Sequence, residues 1–533
     1  MTTGLTRAVA GTALVTAMVA GVAGPAAAQT STTRSASTPT TTTPSTTAPS
    51  GQCPKLMVYG MQGTGESSPD ASTTTDSGAL GAILGPVMSA FAGQGVIDRK
   101  YVPYEASFGG AVGGGTADYA RSVTGGAEKL TEMIREDAQR CPEMLVATLG
   151  YSQGAGGTSM VVKQIAEGTG PVPESRLAMS GLLSSPGRAP GSPVLPGKPG
   201  QDHPDPVPGT AGENVKRVSL GQAQSPSGGG IGPRADVVDD FGPASGRVGS
   251  WCGAGDLACD TPEGAPIARV VANLAGQSQL NPNDPIGSLT SVADALATTT
   301  IKTGTAVINN DIKGTSLTNL SYEPKKTVSQ RLAEGSDPRT DVGDPAAALM
   351  KLGTIGLNTV VAVAKEVITP ANIIELATIG LAQPQLALGA LVAKLGQAVV
   401  RIGARTANRL TNQVLQTVER EIDANKELPQ MVADVNYWKA AQHHGSYFTT
   451  PTTPDGQSAA DVTKAWLTAV AVDLGGTPKG VAQSRDGANG TSGMAVTPVG
   501  PTSSSVVQIP PPSSGPSSVV TINPSFAGAT ATR

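Results

Sequence analysis

The apolar run Met144-Leu145-Val146-Ala147-Thr148-Leu149 leads directly into Gly150-Tyr151-Ser152-Gln153-Gly154, and a helix-compatible segment follows. Strand, Gly-x-Ser-x-Gly, helix is the setting of a sharp strand-to-helix turn that lifts a serine to the edge of a sheet. Glycine is required on both sides of such a turn, because a side chain there meets the neighbouring strand or helix. A chain with 67 glycines also offers a plainer reading, an ordinary Gly/Ser loop. The surrounding pattern has to decide between them.

That pattern alternates. Residues 55–60 read as a short apolar strand ending in the Gly-rich segment Met61-Gln62-Gly63-Thr64-Gly65-Glu66. A helix is expected over 80–92 and a second strand over 101–106. Tyr119, Val123, Ala127, Leu130, Ile134 and Ala138 recur at intervals of three and four, the mark of an amphipathic helix. After the Ser152 turn and its helix come strands over 177–183 and 247–251, separated by a Pro/Gly/Ser-rich stretch of looser structure at 186–232. Strands alternating with helices predict an α/β fold, a parallel sheet with helices on both faces. Ser152 then sits at the carboxyl edge of a strand, where open α/β sheets hold their sites.

The ends read differently. Arg7, the apolar stretch 8–23 and Ala26-Ala27-Ala28 before Gln29 form the pattern of a secretory signal over 1–28; a retained membrane anchor is the alternative. Residues 29–51 are a Thr/Ser/Pro tract that lacks the apolar residues for a core. From 476 to 533 the chain is again rich in Pro, Ser, Gly and Thr, and disorder is expected there. With 42 prolines beside the glycines, much of the chain must be loop or linker. A net charge of −4 offers no footprint for nucleic acid.

Residues 261–435 are mostly helical by pattern, with breaks at Pro370 and Pro384. Leu391, Leu395, Val399 and Ile402 share one face, and Leu410, Val414, Val418 and Ile422 continue an apolar stripe. A helical insertion packed on the core is the plain reading; a lid or lipid-surface element is the other. The uncharged stretch 376–393 is interrupted by Gln383-Pro384-Gln385, which argues against a transmembrane helix. A further helix over 459–474 places Val462, Trp466, Val470 and Leu474 on one face.

The four cysteines, Cys53, Cys141, Cys252 and Cys259, suit two disulfides in an exported chain, with three possible connectivities. Cys252 and Cys259 enclose a small loop suited to local pairing, which leaves Cys53 for Cys141. Closing that longer loop stabilises by about 4–5 kcal/mol in the chain-entropy model. A zinc site is the alternative, but the spacings do not fit one.

A serine hydroxyl needs a base to take its proton and a third group to orient the base. There are only three histidines. His203 lies in a Pro-rich loop and reads as a solvated surface residue, while His443 and His444 precede the last helix. Both satisfy the order Ser, acid, His. For the acid, Asp256 sits between Cys252 and Cys259, with Asp239, Asp240 and Asp260 as rivals and a simple turn aspartate as the bland reading.

At these residues the chain resembles the cutinase family of secreted serine esterases. The motifs that match in order are Cys53-Pro54 leading to Gln62-Gly63-Thr64-Gly65-Glu66, Cys141-Pro142, Gly150-Tyr151-Ser152-Gln153-Gly154-Ala155, the Cys-x3-Asp-x2-Cys loop, and His444-Gly-Ser-Tyr447. They cover about 53–260 and 436–475. The resemblance implies an α/β-hydrolase fold of the small cutinase type over 52–260 and 436–475, with 261–435 inserted between acid and base. It implies Ser152 as nucleophile, Asp256 as orienting acid and His444 as base, His444 rather than His443 because His-x-x-Tyr fits only the former. The oxyanion hole would use the Gln153 N–H and the Thr64 N–H and hydroxyl. The chain departs from the pattern in the roughly 185 residues between acid and histidine, in the long 186–232 loop, and in Met61-Gln62 where many members have Ala-Arg. It is most similar to the longer, envelope-associated actinobacterial members, which are linked to lipid substrates.

The expectation is therefore a secreted hydrolase of lipid or polyester esters, held at the cell envelope or released, working without metal or organic cofactor. Its rate should fall as pH drops through the ordinary imidazole range, about 6.5. The insertion is expected to shape an acyl-chain groove or to meet a lipid surface. The alternatives are a non-catalytic envelope scaffold that keeps the fold, and a phospholipase, thioesterase or acyltransferase acting on envelope lipids.

Overall fold

The computed structural model describes residues 53–110, 115–220, 225–279, 281, 284–314, 320–356, 404–428, 431 and 443–479. The signal-like segment, the Thr/Ser/Pro tract, the Leu391–Ile402 face, Pro370, Pro384, the uncharged stretch 376–393 and residues 480–533 lie outside the described residues.

In chain order the first part comprises β1 (Leu56–Met61), α1 (Gly78–Ala90), β2 (Ile97–Tyr101), α2 (Tyr119–Arg140), β3 (Leu145–Tyr151), α3 (Gln153–Ala166), β4 (Leu177–Leu183) and β5 (Val248–Trp251). The strands form one five-stranded sheet in the order β2-β1-β3-β4-β5, every pairing parallel. β1 and β4 are buried along their whole length, which explains their nearly unbroken apolar sequence. The second strand lies four residues earlier than its apolar pattern suggests. It is the edge strand, and its centre, Asp98-Arg99-Lys100, is only partly buried and charged. Arg99 pairs with Asp76 at 2.9 Å and Lys100 with Asp137 at 2.7 Å.

The strand order reverses between β1 and β3. From β1 the chain winds outward to β2; from β3 it winds the opposite way to β4 and β5. The loops leaving β1 and β3 therefore diverge and open a crevice at the carboxyl edge. Both Gly-rich motifs, 62–66 and 150–154, leave the sheet at this point.

One face of the sheet is covered by α1 together with the late helix Ala459–Asp473, whose Trp466 meets Trp251 edge to face with ring centroids 6.4 Å apart. The other carries α2 and α3, with Leu130, Ile134, Val161 and Ile165 packed on Tyr59 and Met61. Between β5 and the late helix the chain adds α4 (Pro266–Gln277), α5 (Pro285–Ala306), the small antiparallel pair β6 (Ile312–Lys313) and β7 (Ser321–Tyr322), α6 (Val328–Gly335), α7 (Pro345–Gly356) and α8 (Ala404–Ala424); the late helix is then α9. On α8, Ile422 is exposed, and the side chains of Leu410 and Val414 are not among those described. Among the described residues no helix is long and apolar enough to cross a membrane.

Two disulfides, Cys53–Cys141 and Cys252–Cys259, account for all four cysteines. The first ties the start of β1 to the end of α2; the second closes the loop that holds Asp256.

Candidate active site

The β3–α3 turn is as tight as its glycines require. A Cβ on Gly150 would lie 2.5 Å from Ala155 Cα, and one on Gly154 would lie 2.0 Å from the Met61 carbonyl oxygen. Between them Ser152 adopts φ +54°, ψ −124°, a conformation that costs a non-glycine residue about 1–3 kcal/mol. The surrounding packing holds it there: Ser152 N–H donates to the Leu183 carbonyl at 2.9 Å, and Tyr151 hydroxyl donates to the His444 carbonyl at 2.8 Å.

The structure brings Ser152, His444 and Asp256 together. His444 Nε2 lies 2.9 Å from Ser152 Oγ, and its Nδ1 lies 3.0 Å from Asp256 Oδ1. Asp256 Oδ1 also accepts the Ala258 N–H at 3.0 Å, while Oδ2 accepts the hydroxyls of Ser184 and Tyr447, each at 2.6 Å. Tyr447 in turn accepts the Gly253 N–H at 2.9 Å. Burial pushes the Asp256 carboxyl up. The His444 charge and the hydrogen bonds from His444, Ser184 and Tyr447 outweigh it and hold the group below the ordinary aspartate value. An ionised Asp256 accepts from Nδ1–H, which leaves the Nε2 lone pair facing the serine hydroxyl.

The rival residues are occupied elsewhere. Asp260 accepts the N–H groups of Gly228 and Gly255 and shapes the loop beneath Asp256. Asp240 accepts the Gly242 N–H on the exposed side, and His203 is half-exposed and paired with Asp202. Ser184 escaped the sequence reading, and Tyr447 entered it only as a motif marker.

Opposite Ser152 stands the loop after β1. Gln62 and Glu66 clamp it onto the start of α1, whose own N-cap residue, Ser77, supplies no side-chain bond. Gln62 Oε1 accepts the Leu80 N–H, and the Glu66 carboxylate accepts those of Ala79 and Gly63, all at 3.1 Å. Burial raises the Glu66 carboxyl above its ordinary value. Thr64, which this clamp positions, is buried, and among the described residues its hydroxyl has no hydrogen-bond partner. Gln153 opens α3, so its N–H has no carbonyl one turn back within the helix. Its side chain is fixed by bonds with Ser122 Oγ and the Ser107 carbonyl, both 2.9 Å.

A cavity runs from Ser152, Gln153 and Thr64 and is lined almost wholly by apolar atoms. One wall is Phe108 and Tyr119. The other comes from α4 and the segment after α6, through Ala272, Gly276 and Pro338. Asn273 Nδ2 donates to Ser336 Oγ at 2.9 Å, and Arg339 pairs with Asp236 at 2.8 Å and Asp337 at 3.0 Å. These contacts fasten the inserted helices over the crevice. Ser152 and His444 are each only 2% exposed, and Ser152 borders this cavity.

The sequence model of the cutinase family matches residues 52–269. Residues 52–269 belong to the cutinase family. The match includes Ser152 and Asp256 and stops within α4, leaving most of the inserted helices and His444 beyond it. Among curated relatives, a cutinase of Coprinopsis cinerea, CUT1, is 29% identical over 116 residues, 21% of this chain and 50% of that protein. A carboxylesterase Culp6 homolog of Corynebacterium glutamicum is 27% identical over 214 residues, 39% of this chain and 66% of that protein. The chain thus spans between half and two thirds of these relatives' length. Among solved structures, the catalytic core domain of an acetyl xylan esterase from Trichoderma reesei aligns with 46% of this chain and 99% of its own, at 19% identity and a TM-score of 0.26. A cutinase-like protein from Cryptococcus sp. covers 46% and 93%, at 16% identity and a TM-score of 0.24.

Proposed function

We propose that the cutinase domain hydrolyses carboxylic esters, with Ser152 as nucleophile, His444 as general base and Asp256 as its orienting acid. The hydrogen-bonded chain from Ser152 Oγ through His444 to Asp256 carries this reading. His444 Nε2 takes the hydroxyl proton as Ser152 Oγ adds to the ester carbonyl carbon. The carbonyl oxygen becomes an oxyanion that accepts the Gln153 N–H and the Thr64 hydroxyl, which has no other partner among the described residues and so suits this role. The tetrahedral adduct collapses, the imidazolium gives its proton to the departing alkoxide, and an acyl-Ser152 remains. Water then attacks that ester, giving its proton to His444, and the acid leaves as the proton returns to Ser152 Oγ.

The apolar cavity beside Ser152, with α4 along it, supports an acyl side for this site and suits an apolar chain. The two disulfides suit an oxidising compartment and support secretion. Exposed Ile286 and Leu289 on α5 and Leu349 and Met350 on α7 support contact with a lipid surface; flotation with phosphatidylcholine vesicles tests it, and protein that stays at the bottom of the gradient refutes it.

Hydrolysis of p-nitrophenyl esters from acetate to palmitate by the purified protein and its Ser152→Ala variant tests the main reading. Turnover by the parent with loss in the variant is expected; equal rates remove Ser152 from the reaction. Partition of the acyl group between water and added alcohols then separates hydrolysis from acyl transfer.

A further inference from the structure

Ser184 follows β4 directly, and it is the group through which His444 and Asp256 are joined a second time. Its Oγ donates to Asp256 Oδ2 at 2.6 Å and lies 3.0 Å from His444 Nδ1. The single hydroxyl proton is committed to the carboxylate, so the face turned to His444 is a lone pair, and Nδ1–H is shared between Asp256 Oδ1 and Ser184 Oγ. The residue is fully buried.

Its backbone carries a second, independent mark. Among the described residues only Ala106, Ser152 and Ser184 combine a side chain with positive φ, Ser184 at +58°. All three border the site, since the Ala106 carbonyl accepts the Gly65 N–H beside Thr64 at 2.7 Å. Glycine adopts such a φ without strain. The chain nonetheless places a hydroxyl here and pins it, with Ser184 N–H donating to the Trp251 carbonyl at 2.9 Å.

We infer that Ser184 is a positioning residue for the reaction: its hydroxyl bridges Asp256 and His444, locks the Nδ1–H tautomer and shares the charge that appears on the imidazole as Ser152 is deprotonated. This rests on the role assigned to His444 under Proposed function. A hydrogen bond to a charged group that strengthens in the transition state acts on kcat, not on substrate affinity.

The test is Ser184→Gly beside Ser184→Ala and Ser184→Cys, with kcat and KM on p-nitrophenyl butyrate and thermal unfolding of each. Ser184→Ala removes only the hydroxyl and keeps the strained backbone, whereas Ser184→Gly removes the whole side chain and relieves the backbone, so a serine kept only for the fold would leave the kcat of a folded variant untouched. The expected result is a fall of about 10–100-fold in kcat for both Gly and Ala, with KM within about twofold of the parent. Ser184→Cys, which keeps a weak donor and a similar size, should retain more activity than either. In proton spectra the low-field His444 Nδ1 resonance should move in every folded variant. Parental kcat in the glycine or cysteine variant, or a loss confined to KM, overturns the inference. Ser152→Ala run alongside separates the readings: if it stays active the hydrolase reading itself fails, and if it is dead while Ser184→Gly is parental, only the role of Ser184 falls. Should the glycine and alanine variants not fold, the cysteine variant and the Nδ1 resonance decide.

Discussion

His444 Nε2 and Ser152 Oγ lie 2.9 Å apart although 292 positions separate them in the chain. Helices α4 to α8 all lie between the two in the chain. Tyr151, the neighbour of Ser152, holds the histidine loop from the other side through the His444 carbonyl and a ring contact at 5.3 Å.

If that contact carries the proton, replacing His444 has no substitute in reach. His444→Ala is expected to lower kcat by at least about 10⁴-fold, while His443→Ala and His203→Ala stay within about threefold of the parent. Ester hydrolysis by the three purified variants measures this, and a comparable loss in His443→Ala would reassign the base.

Thr64 offers a separation of function from stability. A buried hydroxyl with no partner weakens a fold, so the nearly isosteric Thr64→Val should unfold at an equal or higher urea concentration than the parent. Its kcat should nonetheless fall by about 10²–10³-fold, the usual cost of one lost oxyanion donor, and Thr64→Ser should restore most of the rate. A valine variant with parental kcat would place the oxyanion elsewhere.

The parts of the site that could be read in the chain are those with local chemistry. The Ser152 turn announces itself by its glycines, and Asp256 by the two cysteines around it. The rarity of histidine narrowed the base to His443 and His444, and only the resemblance to the cutinase pattern His-x-x-Tyr, through Tyr447, favoured His444. Ser184 carries no such mark: Leu183-Ser184-Ser185-Pro186 is an ordinary strand exit. It becomes significant only once β4 is seen between β3 and β5, which brings its carboxyl end beside Asp256. A polar residue at the carboxyl end of the strand next to the Ser152 strand is the signal that was there to use. The roof residues Ala272, Gly276 and Pro338 were equally silent, because an apolar helix face does not say which surface it covers. The edge strand begins four residues earlier than its apolar pattern suggests, because the partly buried charges Asp98-Arg99-Lys100 hide the alternation that marks a strand.

The two disulfides should separate in their effects. Cys53–Cys141 spans 88 positions and Cys252–Cys259 only 7, so chain entropy gives about 4–5 kcal/mol for the first and about 2 kcal/mol for the second. Yet Cys259 Sγ lies 3.2 Å from the Tyr447 hydroxyl that braces Asp256. Paired Cys→Ser replacement at 53 and 141 should therefore lower the urea midpoint most while sparing the kcat of the folded protein. Replacement at 252 and 259 should lower kcat most. Urea unfolding and kcat measured on both variants check this, and the reverse ranking would contradict it.

Asp256 should also leave a signature in stability against pH. Its folded value is depressed below the unfolded one, about 3.9. The stabilisation it contributes is then fully present above that value and disappears as pH falls through the lower folded value. Asp256→Asn should accordingly be less stable than the parent at pH 6, and the gap should close as the pH falls below about 4. Buried Glu66, Asp236 and Asp260, whose values are raised chiefly by burial, act with the opposite sign but are common to both proteins and cancel in the difference. Urea midpoints followed downward from pH 6 decide it; a gap that does not narrow at all as the pH drops below about 4 would mean the asparagine costs packing, not charge.

If the cavity holds the acyl chain, its lining should set which esters are hydrolysed. Ala272 faces the cavity from α4, against the wall formed by Phe108 and Tyr119. α4 is held in place through Asn273 and Ser336, with the Arg339–Asp236 pair fastening the neighbouring segment to the core. An aromatic ring at 272 would fill the acyl space without touching Ser152, His444 or Asp256. Ala272→Phe is therefore expected to leave acetate ester hydrolysis within about threefold of the parent. For octanoate its kcat/KM should fall by 10-fold or more, since each excluded methylene is worth roughly 1–3 kcal/mol in such a pocket. Equal losses on both esters would show that the substitution damaged the machinery, and no loss on octanoate would show that long acyl chains leave Ser152 by another route.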